Sequence, residues 1–142
     1  MAAYTIIETD MAREAARLSA VRRTVFIEEQ GVPESMEWDE HDAVSLHWLV
    51  IAADGSPIGC ARLLPDGHIG RMAVLQAWRG LGVGSALLNR VLVAARANGH
   101  SFARLSAQSQ AAGFYRRAGF VEEGAEYDEA GIPHVAMLKK LD

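Results

Sequence analysis

Hydrophobic and polar residues follow one another in patterns that predict strands and helices from the start of the chain onward. Tyr4–Glu8 alternates apolar and polar positions, which is typical of a half-buried strand. Helix-forming residues follow over 11–29, and the carboxylate of Asp10 is placed to cap the first turn of that helix. Gly31 interrupts the helical pattern, and the acidic stretch 31–44 predicts a loop.

The rest of the pattern predicts antiparallel hairpins followed by alternating helices and strands. Asp54-Gly55 and Asp66-Gly67 are typical hairpin turns. The segment 82–97 has a continuous apolar face and ends at Asn98-Gly99, as an amphipathic helix does. A second helix is predicted over 108–118. The remaining predicted strands are Ser45–Ala53, Pro57–Leu64, His68–Val74, 102–106, Phe120–Tyr127 and His134–Leu141. This order predicts an α/β fold with a mixed sheet flanked by helices.

Length and composition set bounds on the kind of protein. The 142 residues predict one domain over 1–142, and half of them are hydrophobic, enough for a packed core. No apolar run approaches the roughly 18 residues of a membrane span, and no signal peptide pattern begins the chain, so a cytoplasmic protein is expected. Cys60 is the only cysteine and is predicted to be a buried structural thiol. The net charge of -4 argues against nucleic acid as a general partner.

A glycine-rich segment lies where the helix over 82–97 would begin. The first N–H groups of a helix have no acceptor within it, and the helix dipole makes that end electropositive. Glycines remove the side chains that would keep an anion away, and an arginine just before the helix adds a charged donor. We therefore predict a phosphate-binding loop formed by Arg79, Gly80, Leu81, Gly82, Val83, Gly84 and Ser85.

Spacing separates this loop from two other phosphate-binding loops. A Walker loop requires Lys after its last glycine, whereas Gly84 is followed by Ser85. A dinucleotide loop that starts at Gly80 requires glycine at position 85 and an acidic residue about 20 residues later, where the chain has Ala103 and Arg104. The pattern that remains is Arg-x-x-Gly-x-Gly, which by itself is equally compatible with a glycine-rich turn that binds nothing.

A second motif follows the predicted strand 102–106. The pattern Ala-x-x-Phe-Tyr-x-x-x-Gly-Phe is matched by Ala111, Phe114, Tyr115, Gly119 and Phe120. Together with Arg-x-x-Gly-x-Gly, this motif resembles the GNAT superfamily of acetyl-CoA-dependent N-acetyltransferases, over roughly residues 45–125. The family usually has Asn where this chain has Gln108, a longer side chain with the same amide group.

The resemblance implies a mostly antiparallel sheet with a splayed cleft that holds acetyl-CoA as co-substrate. It also implies direct attack by a primary amine in a ternary complex. In the family the pantetheine arm of the cofactor pairs with the backbone of the fourth strand. The resemblance therefore implies that Met72, Ala73 and Val74 supply this contact, with the Val74 N–H as the donor to the oxyanion. Tyr115 is the implied general acid for the departing thiolate. The implied cofactor contacts are completed by Gln108, Ala111 and Phe114.

Two alternatives stay open beside this reaction. The same fold could bind an acyl-CoA as a sensor or regulatory module without turnover, or it could transfer a longer acyl group. The base is also open: Glu28, Glu29, His68 and ordered water are candidates, and Glu29 is the side chain that we assign.

Charge suggests where the acceptor binds. Acidic residues crowd positions 28–42, where only His41 could offset them, while Arg71 and Arg79 are assigned to the phosphate end. We therefore predict a cationic amine, on a small molecule or a peptide, bound by Glu28, Glu29, Asp39 and Glu40. An ordinary solvated loop is the competing interpretation.

The sequence also bears on metal ions, membranes and a second copy of the chain as partners. Asp39, His41 and Asp42 could ligate a metal, but they follow no zinc spacing and lack cysteines, so no metal is predicted. No membrane partner is predicted. Apolar strand edges near the C-terminus leave a homodimer open as an alternative to a monomer.

Overall fold

Seven strands form the sheet of this protein, which a computed structural model describes over residues 3–142. The strands are β1 (Tyr4–Thr9), β2 (Leu46–Ala52), β3 (Pro57–Leu63), β4 (His68–Val74), β5 (Phe102–Gln108), β6 (Val121–Glu129) and β7 (Ile132–Lys140). They lie in the order β1-β2-β3-β4-β5-β7-β6. All neighbours are antiparallel except β4 and β5, which are parallel. The predicted mixed, mostly antiparallel sheet is confirmed.

The α-helices lie between the strands. They are α1 (Met11–Arg22), α2 (Glu34–Glu37), α3 (Val83–Ala97) and α4 (Ala112–Arg117). Asp10 caps α1, since its Oδ1 accepts from the Arg13 N–H at 2.9 Å. None of the helices described over residues 3–142 is long and apolar enough to cross a membrane.

Both faces of the first half of the sheet are covered, because its strands carry apolar residues on both sides. On one face α3 contributes Leu87 and Val91 to the larger core cluster. On the other face Leu18 of α1 packs in a second cluster with Leu49 and Cys60. Truncating a buried leucine in such a core typically costs about 2–5 kcal/mol of folding free energy. The ends of β4 are therefore held by a rigid two-sided core.

The cleft of the protein arises where β4 and β5 separate. Their pairing is confined to residues 68–69 of β4 and 104–105 of β5. Just beyond, the register between β3 and β4 shifts at Arg71, whose φ of 48° marks a bulge. The strands diverge past the bulge, which leaves a cleft between Met72–Val74 and the end of β5. The predicted splay is confirmed.

Several predicted boundaries differ from the structure. The helix over 11–29 is α-helical only to Arg22 and continues over Arg23–Glu29 as a π-helix. The predicted loop 31–44 contains α2 and a 3₁₀ turn at Glu40–Val44. The helix predicted over 108–118 starts only at Ala112 after a 3₁₀ turn, because Gln108 is the last residue of β5.

The turn of the last hairpin is shorter than predicted. Both strands extend into the segment 128–133, and the turn narrows to Ala130-Gly131, whose φ values are 54° and 78°. A two-residue turn between twisted strands requires positive φ at both positions. Alanine rarely adopts that conformation, so the Ala-Gly pair is a weak signal in the sequence.

Candidate active site

The glycine-rich loop leads directly into α3. Gly82 is the N-cap residue of the helix, with a φ of 83° and no capping side chain. Gly80 also has positive φ, and at neither glycine would a Cβ have an atom within 4 Å. A Cβ on Gly84 would lie 3.4 Å from Phe114 Cζ. The first amides of α3 thus have no acceptor within the helix and open space beside them, an arrangement that fits a pyrophosphate group.

The Val74 N–H points away from β3. Leu75 N donates to Ile58 O at 2.9 Å, so these two residues form a hydrogen-bonded pair of the antiparallel ladder. Such pairs alternate with pairs whose amides point outward, and Val74 opposite Gly59 is the next pair in register. Because β5 has already diverged here, the Val74 N–H faces the cleft. This orientation is the one that the predicted oxyanion donor requires, and the role itself stays a prediction.

Tyr115 lies against β4 where the cleft begins. Its hydroxyl is 3.8 Å from Met72 Sδ. The ring packs edge-to-face against Phe114 and Phe120, with centroid distances of 5.0 and 5.9 Å. Burial raises the pKa of Tyr115 to about 12, so the phenol keeps its proton at neutral pH. A protonated, immobilised phenol beside β4 is what a proton donor in this cleft requires.

Gln108 joins the end of β5 to the end of the π-helix. Its Nε2 donates to Gln30 Oε1 at 2.6 Å, and its Oε1 accepts from Gln110 Nε2 at 2.7 Å. Gln30 precedes Gly31 and has the pattern of an ordinary helix end, so the sequence predicts no functional role for it. Only its proximity to Gln108 across the fold brings it into the site.

Glu29 and Arg79 are bound to each other. Arg79 Nη1 and Nη2 donate to the two carboxylate oxygens of Glu29 at 2.7 and 2.8 Å, and Arg79 Nε donates to Val74 O at 2.8 Å. The hydrogen bonds from Arg79 lower the pKa of Glu29, which weakens it as a base while the pair is intact. The sequence assigns Arg79 to phosphate and Glu29 to base catalysis. Both assignments stay predictions, and either one now requires the pair to exchange partners.

The predicted acidic region is largely neutralised. Arg22 is 1% exposed and donates to Glu37 Oε2 and Asp42 Oδ1, both at 2.8 Å. Arg62 Nη1 donates to Asp39 Oδ1 at 2.8 Å and to Asp42 Oδ1 at 3.0 Å. The expectation that only His41 offsets these carboxylates is therefore wrong. It failed because the arginines come from α1 and β3, far away in the sequence.

Arg71 belongs to the same cluster. Its Nη2 donates to Glu37 O at 2.9 Å and to Asp39 Oδ2 at 3.2 Å. The assignment of Arg71 to the phosphate end is wrong, because its side chain at the bulge of β4 reaches the 34–44 segment. We call this set the buried ion cluster: Arg22, Glu37, Asp39, Asp42, Arg62 and Arg71. Burial by itself would raise the pKa of Asp42, but hydrogen bonds from the two arginines that contact it outweigh that effect and lower it.

The predicted acceptor and base residues differ in their exposure, their ion pairs and their distance from the cleft. Glu28 and Glu40 are exposed, whereas Glu29 and Asp39 are paired with arginines. The four residues stay predicted acceptor contacts. His68 lies at the opposite end of β4 from Val74, roughly 20 Å away at about 3.3 Å per residue. It is thus outside the cleft and is not a base for chemistry there.

Metal binding and a reactive thiol are two further kinds of chemistry that these side chains could support. Among residues 3–142 no group of three His, Cys, Asp or Glu side chains could hold a metal ion. The buried Cys60 Sγ donates to Arg71 O at 3.2 Å, and burial raises the pKa of the thiol to about 12. The predicted buried structural thiol is confirmed.

Comparison with known proteins agrees with this geometry. Residues 7–141 match the family model described as "Acetyltransferase (GNAT) domain". The chain is 39% identical over 124 residues to the uncharacterized N-acetyltransferase YjcF of Bacillus subtilis, covering 84% of this chain and 87% of that protein.

Solved structures give the same result. An acyl-CoA N-acyltransferase from Pseudomonas aeruginosa superposes with a TM-score of 0.84 at 32% identity, covering 98% of this chain and 99% of that one. Escherichia coli ElaA superposes with a TM-score of 0.85 at 27% identity, covering 96% and 99%. A glycine-rich loop at the start of α3, a splayed sheet and a family match over residues 7–141 lead to one conclusion: this protein belongs to the GNAT acetyltransferase family.

Proposed function

We propose that this protein transfers the acetyl group of acetyl-CoA to a primary amine, by direct attack of the amine in a ternary complex. One observation carries the proposal. Along the same strand edge, the Val74 N–H is turned away from β3 and the protonated Tyr115 hydroxyl lies 3.8 Å from Met72 Sδ. A hydrogen-bond donor for carbonyl oxygen and a proton donor for sulfur are two of the groups that acyl transfer from a thioester needs.

Acetyl-CoA, when bound, supplies the activated acetyl thioester. The residues of this chain would hold and polarise it. Arg79–Ser85 would bind the pyrophosphate through the free amides of α3, and Met72–Val74 would offer the strand edge that faces the cleft to the pantetheine arm. The Val74 N–H would donate to the thioester carbonyl oxygen as negative charge builds there. Tyr115 would give its proton to the departing sulfur.

The acceptor enters, in this proposal, beside the end of the π-helix. Glu28 is exposed there and has no ion-pair partner among residues 3–142. Glu29 and Gln30 are bonded to opposite walls of the cleft through Arg79 and Gln108. A cationic amine of a small molecule or peptide would be attracted to these carboxylates, and Glu29 or water would take its proton. The buried, unpaired thiol supports a reducing, cytoplasmic setting.

The test is a panel of primary amines incubated with acetyl-CoA, with release of free thiol followed against time. We expect saturable turnover with one class of amine, and formation of the N-acetyl product by mass spectrometry. Because Cys60 is buried, the native protein adds little thiol signal. Tight binding of coenzyme A without turnover of any amine would contradict the proposal and favour the acyl-CoA sensor. Faster turnover with a longer acyl-CoA would mean that the natural acyl donor is that longer thioester rather than acetyl-CoA.

A further inference from the structure

His134 is a buried histidine to which the proposed reaction gives no role. On β7 it pairs with Gln108 of β5 and with Tyr127 of β6, and directly opposite residues project from the same face of a sheet. On that face the Gln108 side chain bonds Gln30 at the end of the π-helix. Because cross-strand neighbours have Cβ atoms only about 4.5–5.5 Å apart, His134 lies beside the wall of the cleft where the amine is proposed to enter.

This face of the sheet is opposite to the one that carries Tyr115. Val135 and Met137 lie in the core cluster with α3, and Tyr115 packs against the same cluster. Side chains alternate between the two faces along a strand, so His134 projects to the other side. A proton donor for sulfur and a proton acceptor for the amine would therefore lie on opposite sides of the cleft, where they do not neutralise each other.

The hydrogen bonds of His134 determine which ring nitrogen carries the proton. Nδ1 is 2.7 Å from the carbonyl oxygen of Ile132, and since a carbonyl oxygen can only accept, Nδ1 carries the hydrogen. The neutral ring therefore has its lone pair on Nε2, which can accept a proton. Glu129 Oε2 lies 3.5 Å from Nε2, close enough to form an ion pair once that proton arrives.

The ring of His134 is held in place and has little contact with solvent. It stacks on Tyr127, with ring centroids 6.1 Å apart and an angle of 27° between the planes, and the Tyr127 hydroxyl is hydrogen-bonded to Ser106. The His134 side chain is only 8% exposed, which leaves room for one ordered water rather than for bulk solvent. A general base has to lie within hydrogen-bond reach of the proton, directly or through one water.

We propose that His134 is the base of the reaction and takes the proton of the acceptor ammonium through one ordered water. The inference rests on the proposed function, and it leaves Glu29 bonded to Arg79. One proton passes from the ammonium group to His134 Nε2. The amine nitrogen then bonds the thioester carbon, and the carbon–sulfur bond breaks with its electron pair on sulfur. Sulfur takes the Tyr115 proton, the surplus proton on nitrogen returns to the Tyr115 oxygen through solvent, and the imidazolium releases its proton to solvent.

The titratable groups around this ring come from β6 and the π-helix. β6 contributes Tyr127, Glu129 and Glu126, whose carboxylate accepts from Ser109 at 2.8 Å. The neighbouring residues 106–111 are uncharged, and beyond them the π-helix carries the carboxylates of positions 28 and 29. Glu129 is the carboxylate that lies against Nε2, so its charge is expected to act on this ring.

The test is the pH dependence of kcat, with a primary amine that the panel identifies as a substrate, in His134→Asn and in the matched control His100→Asn. Asparagine retains an N–H donor but has no Nε2. We expect the wild-type kcat to fall on the acidic side between about pH 8 and pH 5, as for a histidine base. His134→Asn should lose this acidic limb and at least about 10²-fold in kcat. His100 precedes β5 at the end opposite to Gln108, so its variant should retain both.

Two further measurements apply even where substitutions at the buried position 134 weaken folding. Glu129→Gln changes an exposed side chain and should move the acidic limb to lower pH, because the imidazolium loses its carboxylate. Its affinity for coenzyme A should not change. Imidazole added to His134→Ala should restore part of the turnover, which it would not do for a residue that only packs.

Several results would overturn the proposal. They are turnover of His134→Asn within twofold of the wild type, a reduced kcat with the acidic limb unchanged, and an unmoved limb in Glu129→Gln. Loss of the acidic limb in Glu29→Gln instead would identify Glu29 as the base. In each of these cases the wild type still acetylates an amine, so the proposed function survives. If the wild type acetylates no amine, both proposals fail.

Discussion

Glu29 and Arg79, 50 residues apart in the chain, form a two-point ion pair beside the cleft. Through Arg79 Nε, the pair also holds the carbonyl oxygen of Val74 on β4. The next residue, Gln30, is bonded to Gln108 on β5. The end of the π-helix is therefore tied to both walls of the cleft, so the segment proposed to receive the amine is coupled to the segment proposed to hold the cofactor.

Breaking this pair from either side is expected to have the same effect. Arg79→Gln and Glu29→Gln should each lower kcat/KM for the amine by about fivefold, because an exposed pair is worth up to about 1 kcal/mol. The double variant should lose no more than Arg79→Gln, since that single variant already removes both the ion pair and the hydrogen bond from Arg79 Nε to Val74 O. The measurement is kcat/KM at low and high salt. A far larger loss in Glu29→Gln than in Arg79→Gln, with a changed pH profile, would instead identify Glu29 as the base.

Gly82→Ala is expected to weaken coenzyme A binding by at least tenfold, whereas Gly99→Ala should not. The two glycines have φ values of 83° and 85°, and neither has an atom within 4 Å of an added Cβ. Both substitutions therefore carry a similar backbone strain of about 1–2 kcal/mol. Only Gly82 lies at the N-terminus of α3. Calorimetry with coenzyme A, alongside melting temperatures, separates the effects, and equal affinities in the two variants would remove the loop from the binding site.

Tyr115→Phe should lower turnover by about 10²–10⁴-fold, the usual effect of losing an acid catalyst. Affinity for coenzyme A should change little, because a hydroxyl contact to sulfur is weak. With a pKa of about 12, Tyr115 should not itself limit kcat on the alkaline side below pH ~10. Tyr127→Phe is the control, because Tyr127 is 39% exposed and its hydroxyl bonds Ser106 rather than Met72. Turnover within twofold of the wild type in Tyr115→Phe would mean that the residue only packs.

Glu37→Gln should destabilise the protein far more than Glu40→Gln. Glu37 is 3% exposed and compensates Arg22 and Arg71 within the buried ion cluster. Removing one partner of a buried pair typically costs about 3–5 kcal/mol, because a charge is left buried and uncompensated. Glu40 is exposed, so its variant should keep the wild-type Tm. Thermal unfolding followed by circular dichroism measures both, and equal Tm values would show that the cluster adds nothing to stability.

Cys60 should make the fold sensitive to alkali. Burial raises the pKa of its thiol to about 12, against about 8.5 in an unfolded chain. The protonated thiol contributes fully to folding stability below the pKa of the unfolded chain. This contribution is lost as the pH rises toward the pKa of the folded protein, by up to about 1.4 kcal/mol per pH unit. Urea unfolding at pH 8 and pH 10 should show this loss, and Cys60→Ala should reduce it. An identical pH dependence in the variant would assign the loss to other groups.

Local patterns in the sequence determined much of this protein. The order of strands and helices, the Gly80–Gly84 loop at the start of α3 and the motif that carries Tyr115 are each encoded in a few consecutive residues. Periodicity, turn chemistry and glycine spacing act over such short distances, because they depend on backbone conformation and on which face of an element is apolar. The fold class and the assignment to the family could therefore be predicted before any contact was known.

Only the tertiary structure decided which charges meet. Arg22, Arg62 and Arg71 come from α1, β3 and β4, yet they neutralise carboxylates that look free in the sequence. The sequence predicts separate roles for Glu29 and Arg79, but in the fold the two residues form one ion pair. Ion pairs and hydrogen bonds depend on distances of a few ångströms between atoms, and residues far apart in the chain come that close only once the sheet has assembled. Charge counted along the sequence therefore could not predict the electrostatics of the site.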